Sequence, residues 1–568
     1  NFSLILFLLH ALHLLTCLRR KSQSMKTRLF AFFALTCFLG QAQKDYSDTP
    51  KLVVGIVVDQ MRYDYLTRFY DRYGKDGLRR LMDEGFSADN NHYNYMPTYT
   101  APGHASIYTG TTPRAHGIIS NSWYDKFSKS TVYCVDDSTY TSVGTKSSAG
   151  QKSPFRLKTT TFTDQNRLHT QMRGKTIGIA IKDRASILPA GHTANGAYWF
   201  QGGDEGHWIT STFYMDELPQ WVQDFNKKDP AKKYMKEWDT YYKIDTYVES
   251  GPDENDFEGG FRGKDKATFP YDLKKLGKEN GGYGILSSTP YGNSLTADFA
   301  IEAIDAEELG KDDITDILAV SFSSTDYVGH NFGVNSKEIE DTYIRLDMDI
   351  ARLLKALDDK VGKGNYTVFL TADHAAINNP GYLKSKRIPA GSFHMGKVND
   401  TLNSYLTGKY GDLKLIENIS NYQVFFDYDV LAENNINRQE LQKDIAHFLL
   451  QQPNVDKAYT REELTSGEFN YGEISLVQKG FNQKRSGDVF IVIDPGYAGI
   501  GKTGSTHGSP ESYDTHVPLL FYGKGINNGK HTDRTTTIPD IAATVAALLN
   551  IEFPSGEAGE PILEALAD

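Results

Sequence analysis

Residues 52–62 read Leu52-Val-Val-Gly-Ile-Val-Val-Asp59-Gln-Met-Arg62, an apolar run that ends at a carboxylate. A short run of valine and isoleucine without alternating polar residues is typical of a strand buried on both faces of a parallel sheet. We therefore predict a strand over 52–59. Five later segments have the same character and are also predicted strands: 176–182, 317–323, 366–371, 489–493 and 517–522.

Helical patterns lie between these segments. In residues 337–359, apolar side chains recur at three- and four-residue spacing, which predicts a long helix with one buried face. Three more helices are predicted, over 65–84, 294–309 and 539–549. Strands that alternate with helices indicate an α/β sandwich around a mainly parallel sheet. The stretches 195–290 and 380–485 break this alternation, so we interpret them as insertions that cap a site.

The charge and composition of the chain restrict what it binds. It has 568 residues and a formal net charge of -11, with 39% hydrophobic and 23% charged residues, which is ordinary for a folded protein. A surface that follows a nucleic-acid backbone needs an excess of lysine and arginine, so we expect no nucleic-acid partner. A small anionic substrate stays open, because a bound metal ion can outweigh a distant acidic surface.

The amino terminus has the pattern of an export signal. Met25 opens a charged start, 29–39 is a short apolar core, and 40–42 is a small-residue cleavage site. The apolar core is shorter than the roughly 20 residues that a membrane-spanning helix needs, so we expect no stable membrane anchor. Residues 1–24 are predicted to be upstream sequence translated in error, or alternatively a genuine longer leader. We expect a periplasmic or secreted monomer whose folded domain covers 43–568.

Polar side chains follow four of the predicted strands, at the point where each strand ends. They are Asp59, Asp326, Asp373 with His374, and Lys182 with Arg184. Taken singly, an aspartate such as Asp59 is more typical of a turn or a helix cap. The carboxyl ends of parallel strands form one edge of a sheet, however, and α/β proteins bind ligands there. We therefore expect all these side chains to converge on one site.

The metal-binding residue types divide into two sets of three. The sets are Asp326, His330 and His507, and Asp59, Asp373 and His374. Asp326 and His330 are four residues apart, a spacing that lets both reach one ion. Histidine and carboxylate ligands without cysteine suit catalytic zinc, so we predict two Zn²⁺ ions per chain. Ligand type alone leaves manganese or iron open.

Thr100 is the candidate nucleophile. It lies in Tyr99-Thr100-Ala-Pro-Gly-His104, where a hydroxyl precedes a proline-bearing helix start, so backbone N–H groups and the helix dipole would face an incoming phosphate. Two metal ions about 4 Å apart can clamp the attacking and leaving oxygens of a phosphoryl displacement. Coordination to a metal would lower the pKa of the Thr100 hydroxyl. We predict that Thr100 is also a metal ligand and forms a phosphothreonine, which water then hydrolyses.

At these motifs the chain resembles the alkaline phosphatase superfamily. The matching stretches, in order, are Val-Val-Asp59-Gln-Met-Arg, Thr100-Ala-Pro-Gly-His-Ala, Ser-Thr-Asp326-Tyr-Val-Gly-His330, Thr-Ala-Asp373-His374 and Thr-His507-Gly-Ser. The resemblance covers essentially all of 43–568, and within the superfamily the chain looks most like the PafA-type phosphate-irrepressible bacterial alkaline phosphatases. It implies an alkaline-phosphatase-like α/β/α sandwich and a catalytic domain with two zinc ions. It also implies a threonine nucleophile and a broad range of substrates.

The choice between monoester and diester substrates depends on two cations. We place Lys182 and Arg184 on one face of a strand end, with Gly178 and Ala180 leaving room for a substrate, because residues two apart in a strand share a face. A monoester carries about one more negative charge than a diester near neutral pH, and a lysine–arginine pair can meet it. The resemblance adds Asn121, which matches an asparagine that contacts the phosphoryl oxygens in PafA-like enzymes. We therefore predict a phosphomonoesterase.

Two alternatives stay open. The related nucleotide pyrophosphatase/phosphodiesterases share the metal ligands and the threonine, so these features do not exclude phosphodiester hydrolysis. A secreted protein that binds zinc or a phosphorylated ligand without turnover would need a lost nucleophile or a lost ligand. The sequence shows neither loss.

Overall fold

The computed structural model describes residues 49–567. The predicted export signal, the leader at 1–24 and the start of the predicted domain at residue 43 lie outside the described residues. Within the described part of the chain, no helix is both long and apolar enough to cross a membrane.

Ten strands form one large sheet, and four more form a smaller one. In chain order these strands are β1 (Leu52–Val58), β2 (Phe86–Ala88), β3 (Ser142–Val143), β4 (Thr176–Ala180), β5 (Gly196–Gln201), β6 (His207–Ser211), β7 (Asp316–Phe322), β8 (Tyr366–Thr371), β9 (Ile416–Ser420), β10 (Gln423–Phe426), β11 (Val455–Thr460), β12 (Val489–Ile493), β13 (Leu519–Gly523) and β14 (Lys530–Thr532). The large sheet has the order β14-β2-β13-β8-β1-β7-β4-β5-β6-β3, and the small sheet has the order β9-β10-β12-β11.

The centre of the large sheet is parallel, as predicted. β1 pairs in parallel with β7 and β8, and the parallel pairing continues from β7 through β4 to β5. Every residue of β1, β4, β7 and β8 is buried, so both faces of the sheet are covered at its centre. These four strands coincide with four of the predicted ones, and the α/β sandwich is confirmed.

Two predicted strands are present but are not parallel strands of this sheet. The strand predicted at 517–522 is β13, which pairs antiparallel with β8. Its first residue, Leu519, lies beside Thr371 at the end of β8, so the chain enters the sheet from the edge where the parallel strands end. The strand predicted at 489–493 is β12, which belongs to the small antiparallel sheet. An apolar run shows that a strand is buried but not which strand it pairs with.

The longer helices, and two short ones near the amino terminus, are numbered in chain order. They are α1 (Asp64–Arg68), α2 (Leu78–Glu84), α3 (Thr100–Thr109), α4 (Phe162–His169), α5 (Asp183–Ala190), α6 (Gln220–Lys227), α7 (Pro290–Ala306), α8 (Ser324–Phe332), α9 (Lys337–Leu357), α10 (Met395–Tyr410), α11 (Arg438–Leu449), α12 (Glu473–Gly480) and α13 (Asp540–Leu549). The helices predicted at 337–359, 294–309 and 539–549 are α9, α7 and α13, with ends shifted by a few residues.

The helix predicted at 65–84 is wrong, because the chain forms α1 and α2 with a 3-10 turn (Tyr70–Arg72) and a loop between them. The N–H of Gly74 in that loop and the N–H of Leu78 at the start of α2 donate to the carboxylate of Asp347 on α9, at 2.7 and 2.6 Å. Two glycines, Gly74 and Gly77, weaken the helix propensity here. The buried carboxylate on α9 then accepts the N–H groups that a continuous helix would have used.

The two predicted insertions differ in structure. Residues 195–290 begin with β5 and β6, which extend the large sheet, so the departure from the sandwich starts after β6. The later part of this stretch is attached to α9, where Asp341 accepts hydrogen bonds from Trp238 Nε1 at 2.8 Å and the Tyr247 hydroxyl at 2.6 Å. The stretch 380–485 contains β9, β10 and β11 with α10, α11 and α12, and the small sheet packs on its own apolar core.

The segment after α13 covers the carboxyl end of α3, and its Glu557 predicts a pH effect on stability. The N–H of Ala558 donates to Gly110 O at 2.8 Å, and Glu557 Oε2 is buried nearby with no hydrogen-bond partner in residues 49–567. Burial raises the pKa of Glu557 from 4.5 to about 8. The unfolded chain ionises this carboxyl near pH 4.5, so the folded state loses stability as the pH rises from about 4.5 to about 8.

We expect Glu557→Gln to unfold about 2 °C above the wild type at pH 9 and close to the wild-type temperature at pH 5, because glutamine cannot ionise. Thermal unfolding followed by circular dichroism at the two pH values measures the difference. Glu552→Gln, an exposed position in the same segment, is the control and should follow the wild type. The same pH dependence in Glu557→Gln and wild type would contradict the effect assigned to this buried carboxyl.

Candidate active site

The predicted site residues meet at the carboxyl edge of the sheet centre. Asp59 directly follows β1, Asp373 and His374 follow β8, and Asp326 lies in the first turn of α8, just after β7. Lys182 follows β4. All five residues are buried. These five side chains therefore lie at one edge of the sheet, as the strand ends predict.

Asp59, Asp373 and His374 form one compact group. The Nε2 atom of His374 lies 3.5 Å from Asp59 Oδ1 and 3.5 Å from Asp373 Oδ2. Both of these oxygens are buried and accept no hydrogen bond from residues 49–567, which is costly unless a cation is near. Burial raises the pKa of Asp59 to about 6, although Lys182 opposes it. Burial, with the charge of Asp59, also raises the pKa of Asp373 well above its usual range. These donor atoms fit a divalent metal ion.

Asp326 lies beside His330 and His507, the second predicted group, and the ligand atoms of Asp326, His507 and His374 all lie within 4.8 Å of one another. Asp326 Oδ1 lies 3.1 Å from His330 Nε2, one turn further along α8, and 3.7 Å from His507 Nε2. Burial by itself would raise the pKa of Asp326, but the charges of His330 and Lys182 hold it well below its usual value. Burial lowers the pKa of His507 to about 3, so its imidazole is neutral. Asp326 and His507 therefore have the protonation states that metal binding requires, whereas His330, whose pKa the charge of Asp326 raises against the effect of burial, would lose its proton to a metal ion.

Backbone carbonyl groups orient the three histidines. The Nδ1 donors and their acceptors are His330 with Ser505 O at 2.8 Å, His507 with Thr98 O at 2.6 Å and His374 with Ala375 O at 3.0 Å. Each bond fixes the tautomer and leaves Nε2 facing the carboxylates, as in metal-binding histidines. The rings of His374 and His507 stack with centroids 3.4 Å apart, so the two groups adjoin at these side chains.

Thr100 is the first residue of α3 and is buried. Its Oγ1 lies 3.5 Å from His374 Nε2. The backbone of Tyr99 is extended, so the helix begins at the candidate nucleophile. The N–H of Ala101 donates to Asn121 Oδ1 at 2.8 Å. One of the helix-start N–H groups expected to face a phosphate is therefore already used, and the bond fixes the orientation of the Asn121 amide.

Lys182 and Arg184 lie at the start of a helix, whereas the sequence predicted a strand end. Lys182 is the N-cap residue of α5 and Arg184 lies in the first turn of that helix, so the rule that residues two apart in a strand share a face does not apply. The Nζ atom of Lys182 lies 2.7 Å from Asp59 Oδ2 and 2.5 Å from Asp326 Oδ2. Arg184 Nη1 donates to the Tyr133 hydroxyl at 3.0 Å. Lys182 thus supplies positive charge to a carboxylate of each group.

Gly178 does not leave room for a substrate, contrary to the prediction. A Cβ atom at this position would lie 2.4 Å from Ser186 O on α5. The absence of a side chain lets α5 pack closely against β4, which fixes where the helix start and its two cations lie.

Sequence reasoning missed two residues that hold the site together. Gln60 donates through its backbone to Asp373 and through its side chain to Asp326. Asp514 accepts the N–H groups of the two residues after His507, at 3.0 and 2.8 Å, and so orders the loop that carries His507. The place of Gln60 directly after β1 is a signal that could have found it. The sequence around Asp514 carries no comparable signal.

Comparisons with known proteins agree with this geometry. A family described as type I phosphodiesterase / nucleotide pyrophosphatase matches residues 53–517. A Myroides odoratus protein named Calcium-transporting ATPase is 46% identical over 542 residues, which cover 94% of this chain and 98% of the relative. Alkaline phosphatase PafA of Elizabethkingia meningoseptica is 45% identical over 545 residues, which cover 95% of this chain and 99% of the relative.

The structural comparison gives the same relationship. The crystal structure of wild-type PafA matches with a TM-score of 0.88 and 46% identity, over 91% of this chain and 99% of that chain. The region matched by the family contains all the predicted site residues, from Asp59 to His507. The resemblance drawn from the motifs is therefore confirmed: the chain belongs to the type I phosphodiesterase / nucleotide pyrophosphatase family and is a PafA-like member of the alkaline phosphatase superfamily.

Proposed function

We propose that this chain is an alkaline phosphatase that hydrolyses phosphate monoesters with Thr100 as its nucleophile. The observation that carries the proposal is the position of the Thr100 hydroxyl, which lies 3.5 Å from His374 at the start of a buried helix. Beside it are carboxylate oxygens without a hydrogen-bond partner in the described part of the chain. The similarity to alkaline phosphatase PafA over nearly the whole chain supports the same reaction.

The two groups of ligands would each hold one zinc ion. Their donors are carboxylate oxygens and imidazole nitrogens without sulfur, a set that suits catalytic zinc. One ion would be held by Asp59, Asp373 and His374, the other by Asp326, His330 and His507, with Thr100 as a further ligand. When bound, the ions would lower the pKa of the Thr100 hydroxyl and neutralise charge on the phosphoryl oxygens.

Thr100 would carry the phosphoryl group between two half-reactions. In the first, its oxygen bonds to phosphorus, the P–O bond to the alcohol breaks, and the threonine proton ends on the departing alcohol. In the second, water adds to phosphorus, the bond to Thr100 breaks, and one proton of the water returns to the threonine oxygen. The sum consumes one water and releases the alcohol and inorganic phosphate. The amino end of α3 favours the anionic intermediate, because the helix dipole is positive there.

Asn121, Lys182 and Arg184 would hold the phosphoryl oxygens. The bond from Ala101 to Asn121 Oδ1 leaves the Nδ2 donors of this amide available. Arg184 Nε is buried and donates to no residue in 49–567, and a buried donor without a partner is costly. An anionic substrate would satisfy both side chains, and arginine can bind two oxygens of one phosphate at once.

Phosphodiester hydrolysis is the second candidate, because the family that matches residues 53–517 is described by that activity. Arg184 would discriminate between the two, since its charge meets the extra negative charge of a monoester. We expect Arg184→Ala to lower kcat/KM for p-nitrophenyl phosphate about 100-fold, and for bis(p-nitrophenyl) phosphate less than about 5-fold. Steady-state kinetics at matched metal content measures both values.

The control for this experiment is Arg173→Ala. Arg173 is exposed and precedes β4, at the opposite edge of the sheet, so neither activity should change. Equal losses on the two substrates in Arg184→Ala would remove this residue as the cause of any preference. Faster diester than monoester hydrolysis by the wild-type enzyme would overturn the monoesterase proposal.

We also propose that the enzyme is exported and acts on small phosphorylated compounds in the periplasm or outside the cell. The charged start, apolar core and small-residue cleavage site at 25–42 support export. The net charge of -11 favours a small substrate over a nucleic acid.

A further inference from the structure

Gln60 has an unusual backbone conformation at the centre of the site. It directly follows Asp59, it is 3% exposed, and its φ angle is 64°. This left-handed conformation is uncommon for a residue with a long side chain, and such residues persist where their surroundings hold them in place. The hydrogen bonds of Gln60 identify what holds it.

The two hydrogen bonds of Gln60 reach one carboxylate of each ligand group. Its backbone N–H donates to Asp373 Oδ1 at 3.1 Å, and its side-chain Nε2 donates to Asp326 Oδ1 at 2.6 Å. On Asp326 the acceptor is the oxygen that faces His330 Nε2 at 3.1 Å. On Asp373 the acceptor is the oxygen opposite the one that faces His374. The side chain therefore acts on a ligand oxygen itself, whereas the backbone fixes the rotation of the other carboxylate.

Helix α8 is shaped to receive the Gln60 side chain. Gly329 lies on α8 between Asp326 and His330, and a Cβ atom there would lie 1.9 Å from Gln60 Oε1. Only a residue without a side chain allows this approach. The glutamine amide therefore lies directly on the helical turn that joins the two ligands.

We infer that Gln60 is a positioning residue that holds one carboxylate of each metal site in place: its backbone fixes Asp373 and its side chain fixes Asp326. The inference rests on the proposed two-metal function. Because the two bonds come from different parts of Gln60, a change of side chain removes only the bond to Asp326. The expected defect is selective: the ion of the Asp326 group binds more weakly, and the ion of the Asp373 group binds as before.

Gln60→Met tests the inference, because the methionine side chain is of similar length and has no N–H donor, while its backbone N–H can still bind Asp373. Metal-depleted protein is titrated with Zn²⁺ against a competing chromophoric chelator. We expect two ions per wild-type chain. In Gln60→Met we expect one ion with unchanged affinity and one bound about 10- to 100-fold more weakly. Activity lost at low zinc should return as zinc is raised, which a general loss of structure would not allow.

The matched control is Gln442→Met. Gln442 is 2% exposed and accepts a hydrogen bond from the Glu462 N–H outside the site, so this variant should bind both ions as the wild type does. Wild-type affinity for both ions in Gln60→Met, or equal weakening of both, would overturn the separate positioning roles of the side chain and the backbone. A wild-type chain that binds fewer than two ions would instead overturn the two-metal function itself.

A second variant covers the case in which Gln60→Met does not fold. Gln60→Asn adopts the left-handed backbone more readily, because asparagine tolerates positive φ. Its side chain is one carbon too short to make the 2.6 Å bond to Asp326 in the same backbone position. It must show the same selective weakening of one ion, and wild-type binding of both ions by Gln60→Asn would overturn the inference.

Discussion

Replacing Thr100 with alanine is expected to lower kcat/KM for phosphate monoesters by about 10,000-fold or more, or about 5.5 kcal/mol of transition-state stabilisation. The variant has no oxygen at the position 3.5 Å from His374 Nε2, so no bond to phosphorus can form there. Steady-state kinetics with p-nitrophenyl phosphate measures the loss. Zinc content must be determined on the same samples, because Thr100 is also proposed to be a metal ligand.

Two further variants isolate the role of the hydroxyl. Thr100→Ser keeps an oxygen in place and should retain activity within about 30-fold of the wild type. Thr109→Ala removes a buried threonine hydroxyl at the other end of α3, where it donates to Ala105 O at 2.7 Å, and should leave the kinetics nearly unchanged. Activity of Thr100→Ala within about 10-fold of the wild type would refute the assigned nucleophile.

Replacing His374 with alanine is expected to have the second largest effect, a loss of about 1,000-fold or more in kcat/KM with fewer than two zinc ions per chain. His374 contacts Asp59 and Asp373. One of its ring nitrogens also lies within 4.8 Å of a carboxylate oxygen of Asp326 and a ring nitrogen of His507. Removing it disturbs both ligand groups at the place where they meet. Elemental analysis of the purified variant, together with kinetics, measures both consequences.

The control for His374 is another fully buried histidine. His116 bonds through Nε2 to Ser106 Oγ at 3.0 Å and through Nδ1 accepts the Ile118 N–H at 3.1 Å, and among residues 49–567 it makes no hydrogen bond or ion pair with a member of either group. His116→Ala should lower the thermal stability but keep two zinc ions and most of the activity. Two zinc ions and wild-type kinetics in His374→Ala would contradict the assigned metal centre.

The sequence predicts the centre of the fold well because the apolar composition of each central strand shows by itself that the strand is buried. The runs at β1, β4, β7 and β8 are apolar on both faces, and all are central and parallel. The predictions of strand pairing and of helix length are wrong where contacts between distant parts of the chain determine the structure. β12 and β13 are equally apolar, but their antiparallel pairing depends on partners elsewhere in the chain. The break between α1 and α2 depends on Asp347, a side chain of the distant α9.

The part of the candidate site that follows the parallel strands can be predicted from the sequence. Because parallel strands end at one edge, Asp59, Asp326 and Asp373 had to meet once the strands were known. The orientation of the cation pair was not predictable in the same way, since β4 ends before Lys182 and a helix begins there. The hydrogen bonds of Gln60 depend on a positive φ angle that its residue type does not favour.

The phosphothreonine is tested most directly by quenching the enzyme with acid at several times during turnover of a phosphate monoester and mapping its peptides by mass spectrometry. We predict one phosphate on the peptide that contains Thr100, present only after substrate is added and absent from Thr100→Ala. A Thr100 peptide that stays unmodified at every quench time while product accumulates, or a phosphate on a different residue, would contradict the proposed mechanism.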